Sequence, residues 1–208
     1  RANNVPGKIT MSNLCSEILQ PQIPSKVKDD QTYEVLGKDI SCNLASFNMR
    51  KVLHSPDFGK SVETAIRMLT QVSDLSNIEA VPTVREGNNK SRSIGLGLMN
   101  AHGAFAYHHM FYGEEESLDL TNMYFYLVTY HAIRTTMLIA KEQGGVEASF
   151  EGFTESKYAS GEFFEKFINP TQPKMFTPRT AKVKKILADI EIPTTEDWAK
   201  LATQVKKK

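Results

Sequence analysis

The chain has 208 residues, 40% of them hydrophobic, and a formal net charge of +1, enough to bury a substantial core in one or two domains but without the basic footprint that nucleic acid requires. Two cysteines in a chain this long do not make a secreted disulfide framework, and no secretory n-region and h-region opens the sequence. The most apolar stretch, Met123 to Ala140, is interrupted by Thr129, His131, Arg134, Thr135 and Thr136, which argues against a bilayer span; the expectation is a cytoplasmic protein that engages neither membrane nor nucleic acid.

In chain order, the first informative segment is Ser12-Asn13-Leu14-Cys15-Ser16-Glu17. An extended chain aims alternate side chains the same way, so Asn13, Cys15 and Glu17 would bring an amide, a thiol and a carboxylate to one small volume. Pro6, Gly7 and Pro21 mark loop on both flanks. A buried cysteine is ordinarily a packing residue; an ionisable base and an amide donor two positions to either side point instead to a thiol that does chemistry. Cys42 follows, where Ile40, Cys42 and Leu44 alternate with Ser41 and Asn43, the pattern of a half-buried strand with its apolar residues turned inward.

Ser55-Pro56 reads as an N-cap and first helical residue, after which Phe58, Val62, Ala65, Ile66, Leu69 and Val72 recur on one helical face, expected to pack against the Cys42 strand. Residues 82–93, with Pro82, Gly87, Asn88 and Asn89, read as a loop, and Ile94 to Met99 as a buried strand leading to a short helix near His102. A long helix runs from about Leu118 to Gln143 and stops at Gly144-Gly145. Thr177-Pro178 is expected to start a helix with Val183, Ile186, Leu187 and Ile190 on one face, and Thr194-Thr195 another carrying Trp198, Leu201, Ala202 and Val205. Strands alternating with helices predict an α/β fold.

Other constellations have plainer readings. Gly95-Leu96-Gly97 lacks the third glycine of a dinucleotide fingerprint and fits a close strand–helix approach better. His108 and His109 lie near Glu114, Glu115 and Glu116, but adjacent histidines diverge on a helix and no His-Glu-x-x-His spacing occurs, so no metal site is expected. Phe163, Phe164 and Phe167 read as core. A thiol–disulfide protein using Cys15 and Cys42 as its pair would normally carry Cys-x-x-Cys, which is absent.

The stretches Ser12-Asn13-Leu14-Cys15-Ser16-Glu17-Ile18, Ser41-Cys42-Asn43-Leu44-Ala45-Ser46, Lys90 to Gly97, Ile94 to Gly103 and Ser156 to Glu162 resemble, in order, the large (alpha) subunit of ribonucleotide reductase, and the 27 residues from Cys15 to Cys42 resemble the spacing of the class Ib form. The resemblance implies a ten-stranded α/β barrel made of two half-barrels, with Cys15 on an active-site loop in its centre and helices following. It implies that Cys15 carries a thiyl radical that abstracts the ribose 3′ hydrogen, and that Glu17 is the base for the 3′-hydroxyl proton. Asn13 would hold the ribose hydroxyls, and Cys42 would be one of two cysteines oxidised to a disulfide as the 2′-hydroxyl leaves as water. Substrate contacts would come from Asn13, Leu14, Cys15, Ser16, Glu17 and Leu44.

The resemblance also implies partners: a ribonucleoside diphosphate substrate, a small subunit whose dimetal-tyrosyl centre supplies the radical, a glutaredoxin- or thioredoxin-like reductant, and a second copy in a homodimer. No cofactor would be bound in this chain itself, and nucleotide effectors would bind outside it. Several family elements are missing: a second reducing cysteine, the C-terminal cysteine pair, an adjacent Tyr-Tyr relay and a Pro-Thr-Gly-Ser-Ile-Ser phosphate turn, while Ala45 stands where the family usually has Gly. With Arg1 opening the chain and Lys206-Lys207-Lys208 closing it, residues 1–208 are expected to be the central portion of the barrel domain. The rival expectation is a noncatalytic or split-gene piece acting only within a larger assembly.

Overall fold

The computed structural model describes residues 4–10, 12, 19–41, 43–76 and 78–206. A short antiparallel pair, β1 (Lys26–Val27) and β2 (Tyr33–Val35), lies beyond the opening segment, flanked by an isolated bridge between Ile23 and Lys38. β3 (Asn43–Asn48) and β4 (Ile94–Met99) then pair in parallel, in register from Asn43 opposite Ile94 to Asn48 opposite Met99. Parallel neighbours need a crossover, supplied here by α1 (Met49–Leu53), α2 (Phe58–Leu75) and α3 (Pro82–Ser91).

α2 starts at Asp57, whose carboxylate accepts from the Lys60 amide at 2.8 Å, satisfying one of the donors a helix N-terminus leaves open. Its buried residues Phe58, Val62, Ile66, Leu69 and Ser73 follow steps of four, four, three and four, and that stripe packs against both strands of the parallel pair and against α5 (Glu115–Glu142). α5, reached through α4 (Ala101–Tyr107), is the scaffold of the molecule: Leu120, Met123, Tyr124, Leu127 and Met137 are all buried. Gly144 and Gly145, both at positive φ, end it, as only glycine adopts that backbone freely.

The C-terminal third comprises α6 (Lys157–Ser160), α7 (Glu162–Ile168), α8 (Ala181–Ile186) and α9 (Thr195–Lys206), which close over α5. Trp198 stacks on Phe167 with centroids 3.9 Å apart, and its indole N–H donates to the Tyr126 hydroxyl at 2.9 Å, which donates in turn to the Pro193 carbonyl at 2.6 Å. A buried Trp and Tyr pair thus satisfies its polar atoms internally. Phe164 and Phe167 are core, as the pattern predicts.

The α/β expectation holds; among the described residues the strands form two two-stranded sheets rather than a closed barrel. Four local expectations need correction. Residues 82–91 are a helix, not a loop, because α3 is held by tertiary contacts through Thr83, Gly87 and Asn88 that propensity does not register. The strand after Cys42 begins at Asn43, and its inward residues are Asn43, Ala45 and Phe47; Leu44 is 54% exposed, while Ser41 is buried because its hydroxyl has a partner within the protein. On α2 the cap is Asp57 rather than Ser55, and Ser73, bonded to Asn88, takes the buried position in place of exposed Val72. Thr177-Pro178 does not start a helix: buried Asp119 of α5 accepts from the backbone amides of Arg179 and Thr180 at 2.9 and 2.8 Å, which sets the N-cap at Thr180.

Candidate active site

Asn13, Leu14, Cys15, Ser16 and Glu17 lie outside the described residues, and so does Cys42. What the structure describes is the protein that surrounds them in sequence, and there the two cysteine-bearing segments are tied together. Gln20, 3% exposed, donates from Nε2 to the Ser41 carbonyl at 2.7 Å, linking the segment that follows Glu17 to the one that precedes Cys42.

Ser41 is tied in turn to α3. Its hydroxyl donates to Asn88 Oδ1 at 2.8 Å, the Asn43 amide donates to the same oxygen at 3.0 Å, and the Ser73 hydroxyl of α2 reaches it at 3.0 Å. Asn88 Nδ2 donates to the Ser73 carbonyl at 2.9 Å. A carbonyl only accepts, so that last bond fixes which end of the Asn88 amide faces Ser41 and Asn43. α3 makes two further contacts, one five residues before Asn88 and one next to it: the Thr83 carbonyl accepts from the Asp39 amide at 3.0 Å, and Gly87 lies so close to the Asp39 carbonyl that a Cβ there would sit 1.7 Å from its oxygen. Positions 83 and 87 share one helical face and Asn88 flanks it; all three are buried, and together they clamp residues 39–43.

Beyond this clamp the parallel pair presents two unlike faces. Phe47, Ile94, Leu96 and Leu98 pack against the core; by strict alternation and the observed register, Leu44, Ser46 and Asn48 share the opposite face with Gly95, Gly97 and Met99. That face is open, with Leu44 and Met99 each 54% exposed. A Cβ at Gly97 would lie 2.8 Å from Ser46 Oγ on the paired strand, so Gly97 serves a strand–strand approach rather than a strand–helix one. Asn48 closes the far end of the open face, accepting from the Asn100 amide at 3.2 Å and the Lys51 backbone at 3.3 Å.

On the other side of Gln20, a cleft of about 1030 Å³ is bounded by residues 4–9, 19–23, 91–93 and 150–152. Buried Lys38 pairs there with Glu151, and Lys90 spans Glu86 and Glu151. The Lys38 hydrogen bond holds the Glu151 carboxyl below the usual carboxylate range, and the hydrogen bond that Lys90 donates to Glu86 holds its ammonium above its ordinary value. Lys38 and Glu151 of the cleft wall are therefore charged but paired with each other.

His108 stacks on His54 at 5.4 Å, and burial pushes its imidazole below the ordinary histidine value. Among the described residues no group of three or more His, Cys, Asp or Glu is placed to hold a metal ion, and no helix is long and apolar enough to cross a membrane. Sequence reasoning missed Gln20, Ser73, Thr83, Gly87 and Asn88. The only signal for the last two is Gly87-Asn88 inside a ten-residue segment opened by Pro82, which is as compatible with loop as with helix.

The family described as "Ribonucleotide reductase, barrel domain" matches residues 1–208. The chain is 41% identical over 210 residues to the ribonucleoside-diphosphate reductase subunit alpha of Mycoplasma pneumoniae and 37% identical over 210 residues to that of Mycoplasma genitalium, in each case over 100% of this chain and 28% of the relative. To the Bacillus subtilis subunit alpha it is 40% identical over 200 residues, covering 96% of this chain and 28% of the relative. The chain thus spans about 28% of the length of these curated relatives.

Proposed function

The chain belongs to the ribonucleotide reductase barrel-domain family, and we propose from this that it forms the central part of the catalytic barrel of a class Ib-type ribonucleoside-diphosphate reductase. The observation that carries the reading is the alternating set Asn13, Cys15 and Glu17 within a chain matched by that family from residue 1 to residue 208. In the proposed reaction a thiyl radical on Cys15 takes the 3′ hydrogen of the ribose, Glu17 accepts the 3′-hydroxyl proton, and Asn13 holds the hydroxyls in reach. A carboxylate of ordinary acidity is ionised at neutral pH and ready for that role. The 2′-hydroxyl leaves as water while Cys42 and a second cysteine outside this chain give up two electrons and two protons and join as a disulfide; Cys15 then returns its hydrogen to C3′.

Leu14, Ser16 and Leu44 are proposed to line the substrate. The reading calls for the Cys42 thiol on the side of the sheet where Leu44 opens a face floored by Gly95 and Gly97. Parallel sheets are ordinarily covered on both faces, so an open face of this kind supports a ten-stranded barrel with the Cys15 loop in its centre. The proposed partners are a small subunit that generates the radical at a dimetal-tyrosyl centre, a glutaredoxin- or thioredoxin-like dithiol that reduces the disulfide, and a second copy of the large subunit, all in the cytoplasm, with nucleotide effectors bound outside this segment.

The test is turnover of ribonucleoside diphosphate by a complete reductase carrying this segment, supplied with its radical-generating subunit and a dithiol. Cys15→Ser abolishes deoxyribonucleotide formation, because an alkoxyl radical is far harder to generate than a thiyl radical. Glu17→Gln lowers kcat by about a hundredfold or more while substrate still binds. Near-normal turnover in either variant removes that residue from its role and favours a noncatalytic piece.

A further inference from the structure

We propose that Asn88 is a positioning residue for Cys42. The inference rests on the reading of Cys42 as a redox-active cysteine but not on any family property of position 88. Among the described residues, Asn88 engages both sequence neighbours of Cys42: its Oδ1 accepts from Ser41 Oγ at 2.8 Å and from Asn43 Nδ2 at 3.0 Å. It is 3% exposed, so water does not compete for these donors. Its own amide is held by the Ser73 hydroxyl and the Ser73 carbonyl, both on α2, an 18-residue helix packed against both strands and α5. The residues on either side of the thiol are therefore tied to α2 and α3 as well as to the strand that Asn43 begins.

The same network extends toward Cys15. The Ser41 carbonyl accepts from Gln20 Nε2 at 2.7 Å, so the chain Gln20–Ser41–Asn88–Asn43 joins the two cysteine-bearing segments through two buried side-chain amides, those of Gln20 and Asn88. A radical thiol and a reducing thiol must serve opposite sides of one small sugar in the same turnover. A displacement of about 1 Å in a reacting group costs on the order of a hundredfold in rate, which is what such a tether prevents. Gly87 allows the approach: any Cβ there would meet the Asp39 carbonyl and hold Asn88 away from Ser41.

The experiment compares Asn88→Ala, Asn88→Asp and Cys42→Ser in the complete reductase, measuring kcat, KM, thermal midpoint and the yield of Cys42 disulfide after one turnover without reductant. Asp keeps an oxygen for the Ser41, Asn43 and Ser73 donors but loses the donor to the Ser73 carbonyl. It therefore costs stability while preserving the clamp, and separates the two roles. Asn88→Ala lowers kcat and the Cys42 disulfide yield together by about tenfold or more, with KM changed by less than about twofold. Asn88→Asp restores most of both, though its thermal midpoint stays low. If Asn88→Ala retains parental kcat, or if Ala and Asp lose kcat equally, the proposal is overturned. Should Asn88→Ala not fold, Ser41→Ala and Asn43→Ala each remove one donor, and normal disulfide yield in both overturns it equally. Cys42→Ser separates the premises: full turnover in that variant removes the redox role of Cys42 itself, whereas an inactive Cys42→Ser beside a fully active Asn88→Ala removes only the positioning role.

Discussion

Gly87→Ala sets local propensity against tertiary packing and gives the two opposite signs. Gly87 lies inside α3, where replacing glycine by alanine is worth about 1 kcal/mol of helix stability; on that ground alone the variant is more stable. In the fold, the new Cβ would sit 1.7 Å from the Asp39 carbonyl oxygen and 2.9 Å from its carbon, against the 3.0 Å below which real Cβ atoms essentially never approach. The obstacle is backbone and cannot rotate away, so α3 and residues 39–43 must separate by more than an ångström. Overpacking of this kind costs about 1–3 kcal/mol. The Asp39 amide bond to the Thr83 carbonyl, 3.0 Å long and on the same contact, stretches with it at about 1 kcal/mol. Taking the middle of that range, about 2 kcal/mol, the stretched bond and the propensity gain cancel, which leaves a net loss of about 2 kcal/mol, or a fall of roughly 4–8 °C in Tm for a chain of this size. Thermal unfolding of the purified protein reads the sum, and hydrogen exchange at the Asp39 amide reads the contact. A Tm equal to or above the parent, with Asp39 protection intact, refutes the reasoning.

Three further outcomes are expected. Asp119→Ala removes a fully buried carboxylate that accepts from the Arg179 and Thr180 amides and the Thr180 hydroxyl; stranding these donors at the start of α8 costs about 3 kcal/mol, measured by denaturant unfolding, and an unchanged midpoint contradicts it. Burial first, and then the nearby Arg134 charge, hold His131 below its ordinary value of 6.5, against the weaker opposing pull of Asp57 and Glu191. The unfolded chain then takes up a proton that the folded one refuses, so the stability contribution is complete above about pH 6.5 and is lost as pH falls toward the depressed folded value; His131→Gln flattens that part of the stability–pH curve, and an equal slope in both proteins contradicts it. In a complete reductase, one turnover without reductant joins Cys42 to a cysteine from outside this chain and leaves Cys15 free, because a Cys15–Cys42 bond would consume the radical-bearing thiol; peptide mapping that recovers mainly the Cys15–Cys42 crosslink contradicts the assignment.

Periodicity by itself determined the elements whose stability is local or one-sided. α5 is legible because 28 residues of apolar pattern end at two glycines, and α9 because Trp198, Leu201, Ala202 and Val205 recur on one face after a threonine pair. The spacing of Asn13, Cys15 and Glu17 is read from the sequence alone, since these positions lie outside the described residues. What tertiary structure decided is wherever a polar group found its partner far away in the chain. Asn88 and Gly87 are poor helix residues, and α3 is helical because Ser41, Asn43 and Ser73 satisfy one and the Asp39 carbonyl needs the missing Cβ of the other. Ser73 rather than Val72 faces inward for the same reason, and Asp119 moved the start of α8 by reaching across from α5. Leu44 reads as core by hydropathy yet lies on the open face of the parallel pair, because alternation specifies that neighbouring residues face opposite ways but not which side the rest of the molecule will cover.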